Sequence, residues 1–481
     1  MSASHSSPVL IERARLREGR LVDVVLKDGV IAEIDQAASQ SSAAHLLPES
    51  TQRIDAQGGL LLPGLVDHHI HLFATARALQ SVALDDSSRW SEDDLIAALT
   101  TALQQGQPLR GVNLSAERFP QIDASWLDQL SNKVAIRLQD RTGQLWIYNS
   151  MALAEIKALD QEWPVGTEMD QQGRPNGRFW HLGGWLSEQR QNTFPNLSVL
   201  SNLLASWGIT AVTDAGVHND QTVWWALRQA QRLGQLKQRL RVMGCHQLHR
   251  VAVDEPEWCA LGPVKIYLRE SALPDGNTLV GQITAAHATR RAVAFHCVTR
   301  VELWVAIDAL RQVGVIDGDR IEHASLVDDD ALSELATLGI RVVTQPQFLW
   351  QRGDRYCEQL QVEDLDILYR GQSWLKRGIP VSWGSDAPYG DSNPWLAMQA
   401  ALDRTTSTGS IITTSERLRG EQLWQLLGSD TAAPGAPMQS LAVGCAADLC
   451  LLKQSIDQIQ ERPMTAEVLA TFVAGTQIYA G

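Results

Sequence analysis

Three textures of apolar and polar residues succeed one another along the chain. At its start, residues 9–11, 20–26 and 30–34 alternate in character around the Lys27-Asp28-Gly29 turn, which predicts a β-meander. Residues 447–452 and 468–479, the latter turning at Ala474-Gly475, repeat that texture at the far end. Neither end has another partner to cover its apolar face, so the two are expected to meet as one small β-sandwich domain over 1–60 and 436–481. The long middle alternates apolar strand-like runs with helix-like stretches. Strands are predicted over 60–66, 210–214, 240–245, 264–268, 292–297, 320–323, 340–344 and 380–385. Helices fit between them over 221–233, 279–290, 300–313, 329–338 and 374–377. Eight strands with helical crossovers predict an α/β fold, a (β/α)8 TIM barrel over 61–435.

The regular spacing breaks once. The stretch between the first two strands far exceeds an ordinary crossover. Residues 76–206 are therefore expected to fold as an insert subdomain, with strands over 111–114 and 134–138. Inserts that follow barrel strands sit over the active-site face. Trp180, His181 and Trp185 are candidate substrate contacts on that ground; an ordinary aromatic core is the plainer reading.

Composition narrows the class. With 44% hydrophobic and 20% charged residues the chain reads as an ordinary globular protein. Its 41 basic and 55 acidic residues give a net charge of −14, which argues against non-specific binding of nucleic acid or of an anionic membrane surface. No apolar run approaches membrane-spanning length, and the Ser-rich start lacks the apolar core of a signal peptide. Cys245, Cys259, Cys297, Cys357, Cys445 and Cys450 form no CxxC pair. They read as reduced thiols, and the expected compartment is the cytoplasm.

Candidate chemistry gathers at the strand ends. His69 and His71 close the run Leu61-Leu62-Pro63-Gly64-Leu65-Val66-Asp67-His68-His69-Ile70-His71. Residues two apart on a strand share a face, so the two imidazoles can hold one ion. Lys265 interrupts the apolar run Val264-Lys265-Ile266; His296 follows Phe295, His323 follows Glu322, and Asp386 follows Ser385. Each alone has a duller explanation: a snorkelling lysine, a satisfied core histidine, a capping aspartate. Their succession at strand ends points to a metal site instead. Burial lowers a lysine pKa, and the free amine can take up carbon dioxide to become a bridging carbamate. Glu322 either orients a ligand or pairs with Arg320, and the ion pair is favoured. His218, beyond the second strand, is a candidate substrate contact, ahead of His246 and His249.

Taken together these segments resemble the amidohydrolase superfamily, and most of all its branch containing N-substituted formamide deformylase and the YtcJ-like proteins. The resemblance rests on residues 62–71, on Trp207-Gly208-Ile209-Thr210 and Thr213-Asp214-Ala215-Gly216, and on Val264-Lys265-Ile266-Tyr267. Phe295-His296, Arg320-Ile321-Glu322-His323-Ala324 and Gly384-Ser385-Asp386-Ala387-Pro388 extend it. Asn149-Ser150 resembles the branch's insert, and Ala446-Ala447-Asp448-Leu449 its C-terminal strand. The resemblance implies one or two divalent ions, usually zinc. His69 and His71 bind the more buried one, a carboxylated Lys265 bridges to a second held by His296 and His323, and Asp386 is the general acid/base. Three departures stand out: His68 where a small residue is usual, Gln144 where the branch often has His, and Arg269-Glu270 in place of Asp-Gly. Arg269 is accordingly a candidate for binding a substrate carboxylate.

The expected activity is hydrolysis of a non-peptide C–N bond in a small molecule: an amide, N-acyl or N-formyl group. Two alternatives remain open, a mononuclear aromatic-amine deaminase and a catalytically inactive scaffold. A barrel of this size also leaves homo-oligomer formation open.

Overall fold

The computed structural model describes residues 7–37, 47–84, 87, 89–104, 108–156, 163–183, 185–186, 194–248, 258–428 and 430–481. Strands Leu65–Ile70, Ile209–Asp214, Arg239–Gly244, Cys259–Tyr267, Val293–Cys297, Arg320–His323, Arg341–Thr344 and Val381–Trp383 form one sheet in chain order. Every neighbouring pair is parallel. The sheet curls until its first and last strands meet at the mouth. There Asp386 N–H donates to His69 O at 2.7 Å, and His71 N–H donates to Ala387 O at 2.9 Å. The expected α/β barrel is the fold observed.

Helices Gln221–Arg232, Gly276–Ala288, Arg300–Val313 and Asp329–Leu338 return the chain between strands. Each begins on a side chain that accepts a helix N–H: Asp220, Asp275, Thr299 and Asp328. Such caps satisfy donors that the first helical turn leaves free. They fix where the chain turns after leaving a strand end, and hence where the preceding side chains point.

The first strand differs from expectation. Residues 60–66 are not one strand but parts of two. Leu60–Pro63 pairs antiparallel with Leu449–Leu452, and only at Leu65 does the barrel begin. Gly64 makes the transfer, since a Cβ there would lie 2.1 Å from Thr210 Oγ1. His69 consequently sits within the barrel strand.

Strands from both ends of the chain join in a single eight-stranded sheet. Its buried side chains include Ile11, Val24, Leu61, Leu449, Leu451 and Phe472.

Phe73–Pro195 forms a compact unit of its own. It contains a six-stranded sheet over a core that includes Leu95, Leu99, Leu114, Leu138 and Ile147. The unit stops short of residue 206 because Ser198–Ser206 packs instead on Ile209–Asp214 and Val468–Val473. Among the described residues no helix is long and apolar enough to cross a membrane.

Candidate metal centre

Backbone alternation brings Asp67, His69 and His71 to one face at the end of Leu65–Ile70. Asp67 does not face a ligand; its Oδ1 accepts from His69 N–H at 3.1 Å and Ser385 N–H at 2.9 Å, tying the first strand to the last. His69 Nδ1 contacts Glu322 Oε2. Its Nε2 lies 3.4 Å from Asp386 Oδ1, and His71 Nε2 lies 3.3 Å from the same oxygen. His323 Nδ1 is 2.9 Å from Gln345 Oε1, and its ring centroid is 4.9 Å from that of His69 and 4.5 Å from that of His296. His69, His323 and Asp386 each offer a donor atom within 4.8 Å of the others. The backbone is bent hard to achieve this: His323, Ala324 and Asp386 take φ of 70°, 46° and 53°. Side chains disfavour that region, and such residues persist where surrounding structure over-determines them, often at functional sites.

The electrostatics favour a cation. Burial pushes the Glu322 carboxyl up, but Arg320, Lys265 and His69 overcome it and hold the group well below its usual range. Asp386 is likewise penalised by burial, yet hydrogen bonds from His69 and His71 keep it ionised. Burial and Lys265 oppose a charge on His69; Glu322 and Asp386 outweigh them, so its pKa is raised. Two carboxylates that favour a proton on His69 would equally favour a metal ion in its place. His296 and His323 stay neutral, as ligation requires. Burial first, then His323 and Lys265, lowers His296 to about 2; burial, with His69 and Lys265, lowers His323 to about 4.

Lys265 completes the picture. Its amine is buried without a hydrogen-bond partner, and burial, aided by Arg320, lowers its pKa. Buried polar groups are rarely left so in native proteins. The uncharged His296 and His323, the ionised carboxylates and an orphaned amine together suit a divalent ion.

Glu322 does both things weighed for it. Arg320 Nε donates to its Oε1 at 2.5 Å while its Oε2 holds His69. Asp67 and Gln345 escaped the sequence reading. Asp67 precedes His69 by two and so shares its face, and Gln345 directly follows the seventh strand, as the other mouth residues follow theirs. Among the described residues His68 is not in the donor cluster. It is fully buried, neither ring nitrogen has a partner, and burial with Arg320 lowers it to about 3. Glu302, on the helix after His296, is engaged as a cap: it accepts from the backbone N–H groups of Glu270, Val298 and Thr299.

The remaining candidates are not among the donor atoms that meet. His218 is exposed on the turn after Ile209–Asp214. Trp180 is in the Phe73–Pro195 unit, where its Nε1 donates to Glu168 Oε1 at 2.5 Å; Trp185 packs on Trp163 there, centroids 5.8 Å apart. Arg269 is exposed, its guanidinium 5.5 Å from the centroid of Tyr267. His246 is exposed, and His249 lies outside the described residues.

A family model described as the amidohydrolase family matches residues 52–479. The chain belongs to that family. This amidohydrolase is similar to Protein LONG AFTER FAR-RED 3 of Arabidopsis thaliana, 23% identical over 99% of this chain and 90% of the relative. It is also similar to N-substituted formamide deformylase of Arthrobacter pascens, at 24% over 95% and 94%. Its fold matches an uncharacterized metal-dependent hydrolase from Pyrococcus furiosus, with TM-score 0.75, 18% identity and coverage of 93% and 99%. An atrazine chlorohydrolase from Arthrobacter aurescens complexed with zinc shares it at TM-score 0.53, 13% identity and coverage of 98% and 95%. The protein is a hydrolase of the amidohydrolase family.

Proposed function

We propose that this protein hydrolyses a non-peptide C–N bond of a small molecule, in an amide, N-acyl or N-formyl group. His69, His71, Lys265, His296, His323 and Asp386 would hold the divalent metal, with zinc the expected ion. Bound there, such an ion activates water and polarises a carbonyl. The protein's own groups do the rest. Glu322 and Gln345 engage the Nδ1 atoms of His69 and His323 and leave each Nε2 for ligation. Asp386, ionised and within 3.4 Å of both His69 and His71, accepts a proton from the attacking water and returns it to the leaving nitrogen. The Lys265 amine, lowered by burial, is suited to add carbon dioxide with loss of a proton, giving an anionic carbamate. Six free cysteines fit a reducing compartment, and we place the protein in the cytoplasm.

The observation that carries this reading is the meeting of His69, His323 and Asp386 donors within 4.8 Å at the end of the barrel where such enzymes react. Asp386→Asn tests it, with turnover followed on a panel of N-acyl amines, N-formyl amines and cyclic amides. The expected result is a loss of ~10²–10⁴-fold with metal content, read by elemental analysis, unchanged. Wild-type rates in that variant would refute the assignment.

A further inference from the structure

Above the metal centre the strand bearing Lys265 continues the same face outward. Residues two apart on extended backbone point the same way; Lys265 and Tyr267 share a face of the strand, and Arg269, still extended just past its end, lies over Tyr267, so the three run from a buried amine to an exposed guanidinium. Tyr267 is 47% exposed, and its ring lies 4.4 Å from that of His296. Arg269 lies over the outer ring at 5.5 Å. The opposite flank is aromatic too. Tyr389, 62% exposed, packs its ring 5.8 Å from His71. Arg269 has no ion-pair partner among the described residues, and Glu270, its neighbour, is held through its own N–H by Glu302 Oε1 at 3.0 Å.

We propose that this row selects the substrate: an N-acyl amine that carries a carboxylate, bound by Arg269, with its planar portion on Tyr267 and Tyr389. A guanidinium binds carboxylate through paired N–H donors, and stacking on a ring presets its orientation. The inference rests on the hydrolytic reading for the scissile bond alone; carboxylate binding is measured separately.

The test is calorimetric titration of the metal-loaded protein with N-benzoylglycine and with neutral N-methylbenzamide. Wild type should bind the carboxylate probe ~10–100-fold more tightly, the value of a charge-assisted hydrogen-bonded pair. In Arg269→Met that preference should vanish, while Arg269→Lys keeps part of it. Tyr267→Ala should weaken both probes. Equal binding of the two probes by wild type, no binding of either, or a preference surviving in Arg269→Met overturns the proposal. Tight, Arg269-dependent binding without any hydrolysis of N-acyl amines would instead sink the hydrolytic reading and leave this one standing.

Discussion

In the terminal sheet, Leu61, Leu449, Leu451 and Phe472 meet in a wholly apolar interior. At the mouth of the barrel, positions equally withheld from water carry His69, Lys265, Glu322, His323 and Asp386. Both regions are built from short buried strands, yet they are held together differently. The sheet gains from each apolar group it removes from water. The mouth takes charges out of water at a cost that only mutual pairing offsets, as in the Arg320–Glu322–His69 chain. Stability therefore resides in one region, while the other spends some of it to keep charge available for chemistry.

The largest test of that contrast is Glu322→Gln. It leaves Arg320 buried without its countercharge, so unfolding free energy should fall by about 3–5 kcal/mol. Affinity for zinc in a competition titration should fall ~10–100-fold, because His69 loses its orienting partner. Wild-type behaviour in both assays would remove the distinction between the regions. Phe472→Ala makes the complementary cut. Truncating a fully buried ring costs about 3–5 kcal/mol, read in urea, but metal stoichiometry and the turnover of folded molecules should not move. A change in metal affinity there would show that the sheet also shapes the site.

A smaller effect comes from pH in the metal-free protein. His68, His296 and His323 are lowered to about 3, 2 and 4, below their ordinary value near 6.5. The folded state refuses protons that the unfolded chain accepts, so their contribution is complete above that value and declines as pH falls toward 4. His69, raised by its carboxylates, works the other way and is outnumbered. Urea midpoints should drop between pH 7 and pH 5, with the same slope in Phe472→Ala. A flat profile would mean that the mouth is not the pH-sensitive region.

The barrel strands were legible because a fully buried parallel strand needs an unbroken apolar run, as in residues 264–268 and 340–344. The same rule misled at residues 60–66. A run buried on both faces looks alike whether it serves one sheet or two, and only the crowding of Gly64 against Thr210 reveals the change of partner. Glu322 posed a similar difficulty. Its spacing from Arg320 is visible in sequence, but its contact with His69 spans 253 residues.

The order of residues alone determined which side chains could do chemistry and on which strand face each would stand, since alternation and capping are local properties of the backbone. Only the closed barrel decided that Asp386 comes to His69, that Lys265 loses its partners and that Glu322 serves two neighbours. Those outcomes depend on distances and on exclusion of water, which arise when strands remote in sequence are brought side by side.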